Sequence, residues 1–175
     1  GKTMTVALHI ANSVNFTRET LTWNTKPTTG NELATVLMDA SSARKYYAQT
    51  ATRLVDYVNT KLQEGAVEIA FALKYKDGDG ADLKWIGGKG DSAYGPLLEL
   101  EFSYDFNSRG IADAVAFKLN PDSTANYKHK TNIFIYKTTD DEAIAFVKFN
   151  ISALGGKKIT SAVFSTRGAM KTDGK

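Results

Sequence analysis

Apolar residues recur at every second position through most hydrophobic stretches of this chain, the spacing of strands that rest one face on a core. From Thr3 to Ile10, Met4, Val6, Leu8 and Ile10 alternate with Thr3, Thr5, Ala7 and His9. Val67, Ile69, Phe71, Leu73 and Tyr75 alternate in the same way with Glu68, Ala70, Ala72 and Lys74. Between Glu142 and Ser152, Ala145, Val147, Phe149 and Ile151 fall on one face, and Ile144, Phe146, Lys148 and Asn150 on the other. Gly155-Gly156 then offers a permissive backbone before Ile159–Phe164, so this region reads as two strands around a tight turn. Leu33–Met38 and Ile133–Lys137 add shorter strands.

One stretch departs from the period of two. Within Thr52–Leu62, Leu54, Val58 and Leu62 recur every four residues, which predicts a short helix with one apolar stripe, ended by Gly65. Asn12–Asn15, Asn120–Ser123 and Asp173-Gly174 read as turns or loops. The pattern therefore predicts an all-β jelly-roll β-sandwich with one short helix near residues 52–62.

Composition narrows the class. The 175 residues suit a single domain spanning 1–175, with 42% hydrophobic and 23% charged residues. No apolar run approaches the roughly 18 residues of a membrane helix, so no membrane partner is expected. Without cysteine the fold uses neither disulfides nor thiolate metal sites. Gly1-Lys2-Thr3 shows no signal peptide, which for an exported protein implies a mature or trimmed chain. A net charge of +3 and a pI near 8.9 favour anionic partners without demanding nucleic acid, and an acidic polysaccharide meets that preference.

Catalytic chemistry finds little to work with. His9 and His129 are isolated in sequence, Gly-x-Ser-x-Gly is missing, and no metal-ligand spacing occurs. Asp140-Asp141-Glu142, and Glu99 with Glu101, read as solvated charge, so no enzyme activity is expected. Asp77, Asp79 and Asp82 among glycines are candidate calcium ligands. A calcium hand loop needs an acid at its twelfth position, where Gly88 stands, so a solvated hairpin loop is the preferred reading. No cofactor is expected.

Several motifs also carry a resemblance. Thr17-Arg-Glu-Thr-Leu-Thr-Trp-Asn-Thr-Lys-Pro27 is the most specific, followed by Leu54-Val-Asp-Tyr-Val58 and Ile111-Ala-Asp-Ala-Val-Ala-Phe117. Ala145-Phe-Val-Lys-Phe-Asn-Ile-Ser152 with Lys158-Ile-Thr-Ser-Ala162 looks like an opening hairpin, and Trp85, Lys89, Pro96, Leu98 and Leu100 like a closing one. Together they resemble the DNRLRE-type β-sandwich modules, which are carbohydrate-binding modules of secreted bacterial polysaccharide lyases and cell-surface proteins. Gly90 and Asp91 depart from that family's closing hairpin.

The halves stand in reversed order. Residues 1–102 resemble the family's second half and 111–175 its first, with 103–110 as a polar connector. The chain therefore reads as a circularly permuted module, in which residues 3–11 should pair with the strand starting at Ile159 and the termini should meet. A piece cut from a tandem array, or a subunit completing its neighbours by strand exchange in a fibre, are the rival readings.

The resemblance implies a non-catalytic, secreted or cell-surface bacterial module that binds polysaccharide. Cations and aromatics coincide in a glycine-rich stretch at Lys84, Trp85, Lys89 and Tyr94, with Arg44, Lys45 and Tyr46 as further candidates for an acidic glycan such as alginate. Lysine ammonium groups would pair with uronate carboxylates while a ring stacks on a sugar face. A structural or adhesive domain that assembles by strand exchange is the alternative function. Trp23, in the most specific motif, reads as a core-edge anchor.

Overall fold

Alternating runs become strands almost throughout. The computed structural model describes residues 3–39, 45–78, 84–87, 95–101, 105–109, 111–118, 132–155 and 157–170. Its strands are β1 (Thr3–Ala11), β2 (Thr29–Asp39), β3 (Lys45–Thr50), β4 (Glu68–Gly78), β5 (Lys84–Gly87) and β6 (Leu97–Glu101). They continue with β7 (Asp105–Arg109), β8 (Ile111–Lys118), β9 (Asn132–Lys137), β10 (Glu142–Asn150) and β11 (Ser161–Met170). The helix α1 spans Thr52–Gln63, as its four-residue stripe predicts.

All strand pairs are antiparallel and form two sheets. The first runs β2–β1–β4–β10–β8. In the second, β11 is flanked by β3 on one edge and by β6 and then β5 on the other, and β7 extends beyond β6. β9 turns the corner between them, pairing Asn132–Ile135 with β5 and Tyr136–Lys137 with β10. The result is an all-β, two-sheet, sandwich-like fold with one helix.

The space between the sheets is filled by rings. Phe71 of β4, Phe149 of β10 and Phe164 of β11 meet edge to face at centroid distances of 5.5–5.9 Å. Met4, Val6, Leu8, Ile69, Leu73, Val147, Leu98 and Leu100 pack around them, all nearly inaccessible. Each such side chain contributes about 1.5–3 kcal/mol by leaving water. α1 closes one end by burying Leu54, Val58 and Leu62.

Local bonds hold that helix in place. Gly65, at φ +72°, donates to the Leu62 carbonyl and Ala66 to that of Lys61, the paired bonds of a Schellman ending. The Asn59 amide both donates to the Ile159 carbonyl and accepts from the Ile159 N–H, at 3.1 and 2.9 Å, fixing α1 to the segment before β11.

The outer face of β4 and β10 is also covered. Ala70, Ala72, Ile144 and Phe146 pack under Phe16 and Leu21, with Phe16 and Phe146 at 5.7 Å. These two residues come from the segment 12–28, which folds by turns and not as a strand. Paired hydroxyls shape it: Thr20 with Thr17, and Thr25 with Thr22 and the Thr20 carbonyl. Trp23 packs at the margin of this cluster, with the Lys26 ammonium 4.0 Å from its ring centroid. Burial lowers the Lys26 pKa, opposed by Glu142 and reinforced by Lys74.

Several expectations are corrected. β10 and β11 do not pair with each other: β10 lies between β4 and β8, whereas β11 lies in the second sheet. After β10 the chain crosses to the other sheet, with a 3-10 turn at Ser152–Leu154 and with Ile151, Leu154 and Ile159 buried along the way. β1 has both edges taken by β2 and β4, so the pairing expected with the strand from Ile159 is not formed. β4 and β5 belong to different sheets, so these two strands do not pair as the expected hairpin.

β7 forms within the stretch 103–110 that reads as a connector, because pairing with β6 supplies the order its polar sequence does not advertise. Val67 precedes β4, is 61% exposed, and contributes its carbonyl to the Ile151 N–H instead of a face to the core. Asn120–Ser123 and Asp173-Gly174 lie outside the described residues, as do the last residues at both ends.

Candidate functional site

The strands carrying two of the predicted cation–aromatic stretches run along the same end of β11. Lys45 of β3 and Ile86 of β5 are both partners of Gly168, one on each edge, with Tyr46 opposite Arg167 and Trp85 opposite Ala169. Lys84 is opposite Met170 and also Ile135 of β9. Sequence segments some forty residues apart, 45–46 and 84–86, are thereby brought onto the two strands that flank the end of β11. Arg44, Lys89 and Tyr94 lie outside the described residues.

The candidate calcium loop is described only at its start. Asp77 lies in β4 and its Oδ1 accepts the Gly78 N–H at 2.7 Å. Gly78 sits at φ +102° against the Thr3 backbone, where any side chain would collide with the Thr3 carbonyl. Its own carbonyl accepts from the Tyr75 hydroxyl at 2.7 Å. Asp79 and Asp82 are outside the described residues. Among the described residues no group of three or more His, Cys, Asp or Glu converges as a metal site. His9 Nδ1 lies 3.0 Å from the Gly30 carbonyl oxygen and, because that oxygen can only accept, Nδ1 carries the hydrogen and donates it.

Where side chains are described, two concavities lie elsewhere, at the end closed by α1. A depression of about 600 Å³ is lined by Ile10, Asn31, Glu32, Leu33, Arg53, Asp56, Tyr57 and Thr60. A second, of about 410 Å³, is lined by Ile10, Ala11, the turn Asn12–Asn15, Tyr57, Lys61, Ala66 and Glu68. Ile10 and Tyr57 belong to both, so the two form one track across the end of β1. Asn12, Asn15, Asn31, Arg53, Asp56 and Thr60 are exposed, which opens the track to solvent.

The track has a firm floor. The Tyr57 ring packs edge to face on Phe71 at 5.8 Å, joining it to the core. Burial, helped by Glu64, raises the Tyr57 hydroxyl pKa to about 12, so it remains a neutral donor and acceptor at physiological pH. The walls are of mixed charge, and several charges are already engaged. Lys61 pairs with Glu64 at 2.6 Å, Glu32 with Lys76 at 2.7 Å, and Glu68 with Lys148 at 3.8 Å. The Asn12 amide donates to Thr28 Oγ1, and Ser13 Oγ accepts the Asn15 N–H, both at 3.0 Å, which shapes the turn that forms the rim.

Sequence reasoning did not find this track. Its residues come from β1, β2, α1 and the turn after β1, and only the pairing of those elements assembles them. Tyr57 reads in sequence as one more residue of the predicted helix, off its buried stripe.

Comparison with known proteins adds no relative. No protein-family model, curated protein or solved structure matches the chain. The functional reading therefore rests on the chain's own residues.

Proposed function

We propose that this chain is a non-catalytic carbohydrate-binding module for an acidic polysaccharide such as alginate, carried by a secreted or cell-surface bacterial protein. The observation that supports this reading is that β3 and β5 flank the same end of β11, which places Lys45-Tyr46 and Lys84-Trp85 on the two strands either side of it. A linear polyanion needs cations spread along a surface and a ring against which a sugar can lie, and the two segments contain both residue types. The basic balance of the chain acts in the same direction. The resemblance to carbohydrate-binding modules supports it from the motifs.

Exposed ion pairs are each worth under about 1 kcal/mol, so uronate recognition on such a surface depends on several acting together. Binding of this kind weakens steeply with salt, because exposed charges are screened within about 8 Å at physiological ionic strength. The test is titration of alginate against the wild type and a Lys84→Ala, Lys89→Ala double variant at low salt. The reading expects saturable binding by the wild type and at least tenfold weaker binding by the variant. Equal affinity in the two proteins removes this surface, and no uronate binding at low salt removes the function.

A further inference from the structure

We infer that the track between α1 and the ends of β1 and β2 is a second glycan site, one that takes a neutral, hydroxyl-rich oligosaccharide. It is independent of the acidic-polysaccharide reading, which concerns the opposite strands around β11. Size is the first argument. Depressions of about 600 and 410 Å³ fall within the range of ligand sites, and their adjacency across the shared Ile10 and Tyr57 suits a linear chain laid over the tyrosine.

The chemistry of the walls selects the ligand. Asn31 offers both donors and acceptors, Asp56 and Glu32 accept from hydroxyls, and Arg53 donates, so both functions of a sugar hydroxyl can be met. Ile10 and the Tyr57 ring supply the apolar surface against which the C–H face of a sugar rests. The two cations of the track face three carboxylates, and one of the cations, Lys61, is engaged by Glu64 at 2.6 Å. A polyanion therefore gains nothing here, and a neutral sugar loses nothing. A peptide would need apolar pockets for its side chains, whereas Leu33, the largest aliphatic residue of the track beside Ile10, is only 5% exposed.

Preorganisation is the remaining argument. The track's helical wall is held by three buried residues and by the two Asn59 bonds to Ile159, and its floor by the Tyr57–Phe71 contact. A ligand arriving there orders few protein groups, which is the main saving available to a weak, shallow binder.

The experiment is NMR titration of the 175-residue chain with neutral hexasaccharides, cellohexaose, xylohexaose and mannohexaose in parallel, at 50 mM and 500 mM NaCl. The expected result is saturable amide shifts from at least one of them, confined to residues 10–15, 31–33, 53–61 and 66–68, with less than a twofold change in affinity between the two salts. An Asp56→Ala, Asn31→Ala double variant, altered only at exposed positions, should bind at least fivefold more weakly with unchanged thermal stability. Tyr57→Ala should abolish binding, and Tyr57→Phe should retain most of it, separating loss of the ring from loss of the hydroxyl. The Lys84→Ala, Lys89→Ala variant should bind the neutral sugar like wild type, so this site and the acidic-glycan reading can fail separately. No shifts with any of the three sugars at 10 mM, shifts centred on other strands, or full affinity in the Asp56→Ala, Asn31→Ala variant would each overturn the proposal.

Discussion

The two faces of β4 and β10 are both dry, but they are covered by different means. On the inner face a second sheet supplies Phe164, which locks with Phe71 and Phe149. On the outer face the cover is a segment without strands, 12–28, whose Phe16 and Leu21 lie over Ala70, Ala72, Ile144 and Phe146. The inner cover is long-range and regular. The outer one is held by threonine hydroxyls and by a lysine. Lys148 Nζ donates to the Val14 carbonyl at 3.1 Å and lies 5.1 Å from the Phe16 ring centroid, so a polar position on the outer face anchors the cover. The difference teaches that a strand's second face need not be met by another sheet for its large residues to be buried.

Mutations that strip one face at a time sharpen the contrast. Phe71→Ala removes a ring that touches Phe149, Phe164 and Tyr57, and should cost about 3–5 kcal/mol in urea unfolding, because a rigid two-sheet core cannot collapse onto the gap. Phe16→Ala should cost roughly 2 kcal/mol, below that range, since a turn segment can settle onto Phe146. Equal costs for the two substitutions would mean that the outer cover is as rigid as the sheet. Lys148→Met keeps the alkyl stem and removes the bond to Val14, with an expected loss of about 1 kcal/mol.

An effect confined to alkaline pH is expected at the α1 end. Unfolded Tyr57 ionises near its ordinary value of 10.0, whereas in the fold burial holds it protonated to about 12. Between those values the unfolded chain has lost a proton that the folded chain keeps, so stability falls as pH rises through this window and the contribution is intact below it. Tyr57→Phe has no such proton, and the difference between its stability and the wild type's should stay level below pH 10 and shift toward the variant above it. A flat difference up to pH 12 would place the Tyr57 hydroxyl in water.

Alternation made the strands legible, because a period of two reports a pleated backbone and its faces whatever the partner. It could not report which strands pair. Gly155-Gly156 invited a reversal, yet Ile151, Leu154 and Ile159 were apolar at positions where a hairpin tip would be wet, and all three are buried in a crossing between sheets. The outer cover had a trace as well: Ile144 and Phe146 are too large for a face left to solvent. α1 was legible from Leu54, Val58 and Leu62, and its end from Gly65. The track beside Tyr57 was not, since Asn31, Asp56 and Ile10 are distant in sequence and unremarkable one by one. The strands around β11 carry candidates that composition could pick out, because lysine and aromatic residues there are neighbours in sequence.

Glycan binding is the central claim, and an array of immobilised acidic and neutral polysaccharides probed at 50 mM and 500 mM NaCl tests it most directly. Uronate polymers should capture the protein at low salt and release it at high salt, as expected when the Debye length shrinks from roughly 14 Å to about 4 Å. Capture by no glycan at either salt would contradict that claim, and so would uronate binding that is indifferent to salt.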